Sequence, residues 1–223
     1  MTAEGILRHV DYTCLKASAS WEEIKRLCEE SIQYHTASVC IPPIYVRLVS
    51  EYYGKSLVIG TVVGFPLGYH STAVKVIEMD QVLRDGAQEI DMVINQCDVK
   101  NAQFESVAEE IAALKQNIGS GILKVIVETC SLTQAEKIQL CTIVKEAGAH
   151  YIKTSTGFGS AGATLEDIAL FKEHCGPHLK IKAAGGIKTR EALEAFLHAG
   201  CDRIGSSSAV ALLAPEIIHK TRS

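Results

Sequence analysis

Three charged residues stand in runs that ought to be wholly apolar, and each directly follows an isoleucine: Asp91 in EIDMVI, Lys153 in YIKTS and Lys182 in KIKAAG. In an alternating strand a residue and its successor face opposite sides. If the isoleucines pack outward, the acid and both lysines project into one interior. Desolvating charges costs about several kcal/mol per ion, and unpaired lysines are seldom kept inside a fold without a use. Burial and a neighbouring cation both lower an ammonium's pKa, and an amine that is neutral near pH 7 is the nucleophile that forms Schiff bases with carbonyl compounds. On these residues alone a plainer arrangement stays open, in which they form a buried ion pair with a spare lysine, or a register one residue off sends the charges to the rim. Lys124 in LKVIVET also follows an apolar residue, but it stands at the start of its run, toward the closed end, and reads as structural.

The elements that must position these groups follow from periodicity. Strand-like runs cover 10–15, 37–41, 56–65, 89–94, 123–129, 150–155, 179–185 and 202–207. Between them lie helical spacings, such as Ile24, Leu27, Cys28 and Ile32, or Ile111, Leu114 and Ile118. Capping-box pairs open several of these helices: Ser20 with Glu23, Thr133 with Glu136, and Thr164 with Asp167. RDGAQEID, EAGAHYIK and HAGCDRIG repeat one joint, a helix ending on a C-cap glycine (Gly86, Gly148, Gly200), three residues, then a strand isoleucine. Strict alternation of strand and helix requires a parallel sheet, and eight units of this size favour a closed (β/α)8 barrel over an open doubly wound sheet. The 223 residues then form one α/β domain spanning 1–223, with no Ser/Gly/Pro-rich linker dividing it.

Barrel chemistry belongs at the C-terminal ends of the strands. AAGGIKT ends the seventh strand and RIGSSSA the eighth, where barrels most often seat phosphate on backbone amides. Gly185 and Gly186 alone could simply make a tight turn. With GSSS on the neighbouring strand, phosphate is the better reading. Gly157, Gly159 and Gly162 in GFGSAG match a dinucleotide fingerprint, but the acid expected about 20 residues on is absent. His174 and His178 are spaced like a helical metal pair, yet Gly176 and Pro177 interrupt them and no H-E-x-x-H accompanies them, so no metal is expected.

A net charge of −4 and a pI near 6.1, with no block of like charges, exclude an electrostatic footprint for nucleic acid. The N-terminal stretch carries charges throughout and lacks a signal-peptide core, and no run approaches a membrane span of about 18 apolar residues. A cytoplasmic protein acting on small molecules, with no membrane partner, is expected. Its 8 cysteines are scattered without a C-x-x-C pair, which suits reduced, mostly buried thiols. Cys40 on the second strand is open to two readings, a thiol at the mouth exposed to aldehydes or, better, a core thiol.

At these residues the sequence closely resembles the deoxyribose-phosphate aldolases, the DeoC family of class I aldolases, over nearly its whole length. DYTCLK, ASVCIPPIYV, GTVVGFPLG, GAQEIDMVIN, LKVIVET, YIKTSTGFG, IKAAGGIKT and DRIGSSS carry the resemblance, and IKTSTGF is the most specific. The resemblance implies a TIM barrel, no metal or organic cofactor, and reversible cleavage of 2-deoxy-D-ribose 5-phosphate to D-glyceraldehyde 3-phosphate and acetaldehyde. It assigns the Schiff base to Lys153, the second lysine to Lys182 and the acid to Asp91. It places phosphate binding at Gly157, Gly185, Gly186, Gly205, Ser207 and Ser208, with Lys188 nearby. A homodimer is common in the family, although no surface pattern marks an interface. Three departures stand out: Tyr12 replaces the histidine of the family's Asp-His-Thr motif, Pro42 takes the place of a common asparagine or tyrosine, and HKTRS lacks the terminal tyrosine that assists proton transfer in some members. The first two should affect the mouth or its support, and the third makes a tail role doubtful. Another phosphate-binding barrel enzyme, or a barrel that binds sugar phosphates without catalysis, would share the glycines but not the whole charged trio.

Overall fold

The structure, a computed structural model, describes residues 1–220. Its strands are β1 (Val10–Thr13), β2 (Ser38–Ile41), β3 (Ile59–Val63), β4 (Glu89–Val93), β5 (Ile122–Ile126), β6 (Tyr151–Lys153), β7 (Lys180–Ala184) and β8 (Arg203–Ser206). All neighbours pair in parallel and β8 closes on β1, giving the expected (β/α)8 barrel and excluding the open sheet. The helices are α1 (Ala3–Leu7), α2 (Trp21–Tyr34), α3 (Val46–Tyr53), α4 (Thr72–Arg84), α5 (Gln96–Lys100), α6 (Phe104–Asn117), α7 (Gln134–Glu146), α8 (Leu165–His174), α9 (Arg190–His198) and α10 (Ala209–Lys220).

Local chemistry accounts for where these helices start and stop. Both halves of the capping box are present at Ser20/Glu23 and Thr133/Glu136. At α8 only half forms: Thr164 accepts from Asp167 N at 3.1 Å, while the Asp167 carboxylate turns to Lys137 Nζ at 2.6 Å. The three repeated glycines sit one residue later than predicted, because Asp85, Ala147 and Ala199 are the caps. Gly86, Gly148 and Gly200 follow at φ 111°, 77° and 103°, the left-handed turn that glycine makes without a Cβ clash.

The strands sort their residues between two compartments. Ile90, Ile152 and Ile181 join the apolar layer between barrel and helices, together with Ile24, Leu27 and Cys28 of α2 and Ile111 and Leu114 of α6. Their successors Asp91, Lys153 and Lys182 turn inward, so the alternation argument holds and the rim alternative does not. Several predicted strands stop early at their functional ends: β3 ends before Gly64 at φ 63°, and β5 before Glu128 at φ 55°. The end of the tail, 221–223, lies outside the described residues. Among the described residues no helix is long and apolar enough to cross a membrane.

Candidate active site

Register brings the charges together. Asp91 of β4 pairs with Lys124 of β5, and Lys153 of β6 with Lys182 of β7. Asp91 Oδ2 accepts from Lys153 Nζ at 2.8 Å and from Lys182 Nζ at 2.7 Å, while its Oδ1 accepts from Lys124 Nζ at 3.0 Å. Below this trio lies a second tier. Asp11 of β1 accepts from Lys182, from Arg203 and, at 3.0 Å, from Lys124, and Ser38 donates to it at 2.8 Å. Glu89 pairs with Lys124 at 2.6 Å and with Arg203 at 3.0 Å. Lys124 is thus the hub of the floor, fully buried and held by three carboxylates, in keeping with a structural role.

Charge balance explains which amine loses its proton. Lys124, Lys153, Lys182 and Arg203 face the carboxylates of Asp11, Glu89 and Asp91, one cation too many for a buried cluster. Deprotonating Lys153 restores parity, and Lys153 is the amine with fewest acceptors. Burial pushes its pKa down, Asp91 opposes that shift, and the Lys182 ammonium adds to it. For Lys182 burial also acts downward, but Asp11 and Asp91 overcome it and hold it above the ordinary lysine value. Lys124 is likewise held well above that value, as Asp11, Asp91 and Glu89 outweigh burial. Asp91 and Asp11 stay ionised: burial favours their neutral forms, but the surrounding cations drive both pKa values well below the usual carboxylate range. The site therefore holds one amine biased toward neutrality beside one fixed ammonium.

Above this tier opens a cavity of about 470 Å³. Of the trio, Lys153 alone lines it; Asp91 and Lys182 lie sealed behind. The wall beyond Lys153 contains Gly157, Gly185, Gly186, Lys188, Gly205 and Ser207, six of the residues expected to seat phosphate. Ser208 is not on that wall. It sits one residue before α10, its carbonyl accepting from Leu212 N at 3.0 Å and its amide donating to Ser206 Oγ at 3.3 Å. Ser206 takes its place on the lining. The glycines of GFGSAG have structural reasons: Gly157 turns at φ 86°, a Cβ on Gly162 would lie 2.1 Å from the Gly185 carbonyl oxygen, and Ala163 N donates to that oxygen at 3.2 Å.

Tyr12 also lines the cavity, with its hydroxyl donating to Glu30 at 2.6 Å, and Pro42 borders an adjoining cavity of about 340 Å³ that shares Leu15, Lys16 and Phe158 with the first. Neither is a hydrogen-bond partner of the charged trio. Cys40 is 1% exposed and off the cavity wall, and burial raises its thiol to about 11, so the core reading holds. His174 ends α8 and His178 falls in the loop beyond it. Among the described residues no group of three or more His, Cys, Asp or Glu could hold a metal ion.

Relatives decide the lineage. A family model described as DeoC/LacD family aldolase matches residues 8–214. The chain belongs to that family. It is 61% identical over 216 residues to a deoxyribose-phosphate aldolase of Clostridium botulinum (strain Alaska E43 / Type E3), covering 97% of this chain and 98% of the relative. It is 51% identical to the deoxyribose-phosphate aldolase of Clostridioides difficile (strain 630), covering 95% and 96%. Among solved structures, an aldolase designated QR15 superposes with a TM-score of 0.92 at 37% identity, covering 97% of both chains. The tetrameric deoxyribose phosphate aldolase of Aeropyrum pernix superposes at 0.90 with 28% identity, covering 97% of this chain and 92% of that one.

Proposed function

We propose that the chain is a class I aldolase that reversibly cleaves 2-deoxy-D-ribose 5-phosphate to D-glyceraldehyde 3-phosphate and acetaldehyde, with Lys153 as the Schiff-base nucleophile. The observation that carries this reading is a buried amine on the wall of a cavity also lined by glycines and serines, the amine being driven toward neutrality by burial and by a neighbouring ammonium.

Neutral Lys153 attacks C1 of the open-chain aldehyde, and the carbinolamine loses water to give a protonated imine. That imine is the electron sink. Asp91, through a water that the Lys182 ammonium helps orient, takes the C3 hydroxyl proton, which later returns to Lys182 once that ammonium has protonated C2; the C2–C3 electrons flow to the imine nitrogen, releasing glyceraldehyde 3-phosphate and leaving an enamine. Lys182, held as an ammonium, is suited to supply the proton that returns to C2. Hydrolysis of the resulting imine frees acetaldehyde and regenerates the amine. Because Asp91 and Lys182 lie behind Lys153, their access to the reacting atoms opens when the Lys153 side chain moves out to the substrate. The phosphate seat at Gly157, Gly185, Gly186, Gly205 and Ser207, with Lys188 beside it, uses binding to a non-reacting group to place C1 against Nζ. No step calls for a metal or an organic cofactor.

This reading places the chain, as a single catalytic domain, in cytoplasmic deoxyribose phosphate catabolism, with the homodimer common in the family as the assembly to test by its mass in solution. Incubation with 2-deoxyribose 5-phosphate should release acetaldehyde and glyceraldehyde 3-phosphate in equal amounts, read by coupled reduction of each product. Failure to release acetaldehyde from this substrate defeats the proposal.

A further inference from the structure

We infer that Glu128 is a positioning residue that holds the Thr156–Phe158 turn in the shape that receives the substrate's phosphate, an inference that rests on the phosphate seat proposed above. Glu128 follows β5, is 5% exposed, and adopts φ 55°. A left-handed backbone is sterically disfavoured for a residue with a long side chain, and it persists only where the surroundings over-determine it.

The chain geometry shows what is gained. Pairing between the β5 and β6 segments runs on past both strands: Val127 N donates to the Lys153 carbonyl at 3.0 Å and Thr129 N to the Thr154 carbonyl at 2.9 Å. One side advances by two residues while the other advances by one, the count of a β-bulge with Glu128 as the extra residue. Bulges re-aim a side chain. Here the carboxylate is turned across to the next βα loop, where Oε2 accepts from the Thr156 hydroxyl and both oxygens lie 3.3 Å from Thr156 N. Thr156 Oγ1 in turn accepts from Phe158 N at 3.0 Å, so one carboxylate organises the turn on both sides of Gly157.

Packing closes the loop onto the same group. A Cβ on Gly159 would lie 2.8 Å from Cys130 Sγ and 3.1 Å from Glu128 Cδ, so the loop rests directly on the carboxylate. The other side of the turn is functional surface, since Thr156, Gly157 and Phe158 line the cavity and Glu128 does not. The Lys153 amine, by contrast, is held by Asp91 of β4, away from the bulge. Loss of the Glu128 anchor should therefore disturb phosphate recognition and leave the amine's chemistry intact.

Glu128→Gln keeps the size but turns an amide donor toward the Thr156 N–H or its hydroxyl, and Thr156→Val removes the hydroxyl from the other end. Each variant is assayed on 2-deoxyribose 5-phosphate and on unphosphorylated 2-deoxyribose, and each is trapped with acetaldehyde and borohydride. The expected result is a rise in KM for the phosphorylated sugar of about tenfold or more, with kcat/KM for the unphosphorylated sugar within about twofold and trapping undiminished. The double variant should be no worse than the poorer single one, as expected for partners in one contact, and Thr156→Ser, which keeps the hydroxyl, should keep the wild-type preference. Equal losses on both sugars, or a preference retained in Glu128→Gln, overturn the inference. If Glu128→Gln fails to fold, Thr156→Val decides it alone. A wild-type enzyme with no preference for the phosphorylated sugar overturns the phosphate seat and this inference together, whereas a wild-type preference that Glu128→Gln preserves overturns the inference alone.

Discussion

Replacing Lys182 by methionine removes a cation that shares Asp91 Oδ2 with Lys153, the two contacts being 2.7 and 2.8 Å. The two nitrogens therefore lie no more than about 5.5 Å apart. At an effective dielectric near 20 that separation corresponds to about 3 kcal/mol of repulsion, or about 2 pKa units on Lys153. The variant should raise the Lys153 pKa by that amount, and Asp91, left with fewer partners, acts in the same direction. Burial, the larger cause of the lowered value, remains, so the pKa should stay short of that of a free lysine. A protonated amine cannot attack, so the acid limb of the imine-formation rate should move about 2 pH units upward, and below both limbs the rate should fall about 100-fold. Rapid mixing with acetaldehyde, a borohydride quench and mass analysis across the acid and neutral range would read that limb. Lys182→Arg retains the charge and should restore most of the wild-type position. An acid limb that stays in place or moves to lower pH in Lys182→Met would refute the argument that the neighbouring ammonium helps keep Lys153 neutral.

Three further outcomes follow from the same geometry. Lys153→Met should abolish cleavage and trapping yet melt at or above the wild-type temperature, because it removes a buried amine that the cluster accommodates only at the cost of its proton and fills its place with apolar volume. Acid should destabilise the fold through Asp11 and Asp91: their folded pKa values are depressed, so their contribution is fully present above the unfolded value of about 3.9 and is lost as pH falls toward the folded values. Thermal melts in a descending pH series check this, and a flat profile below about pH 4 would contradict it. Gly162→Ala places a Cβ 2.1 Å from the Gly185 carbonyl oxygen and should cost about 1–3 kcal/mol in urea unfolding, with weaker preference for the phosphorylated sugar.

The eight strands and the inward direction of Asp91, Lys153 and Lys182 were legible because alternation is a local property, written into EIDMV, YIKTS and KIKAA. What local pattern does not hold is the stagger between neighbouring strands. Asp11 follows Val10 just as Asp91 follows Ile90, so the same parity signal was present in VDYTCL. Its partnership with Lys182 and Arg203 nevertheless depends on closure of β1 against β8, which no window of one strand contains. Lys124 shows the same limit: its place in the run marked it as structural, but its position as hub of three carboxylates needed the register of β4 with β5. Glu128 was hidden for a different reason. LKVIVET reads as one continuous strand, and only the φ of 55° at Glu128 shows that the run breaks there and redirects a side chain.

The central claim is that the covalent step belongs to Lys153, and borohydride reduction in the presence of acetaldehyde tests it most directly. Peptide mapping should find the added two-carbon mass on the peptide bearing Lys153, and the Lys153→Met variant should take up none. Mass added at Lys182 alone would contradict the account.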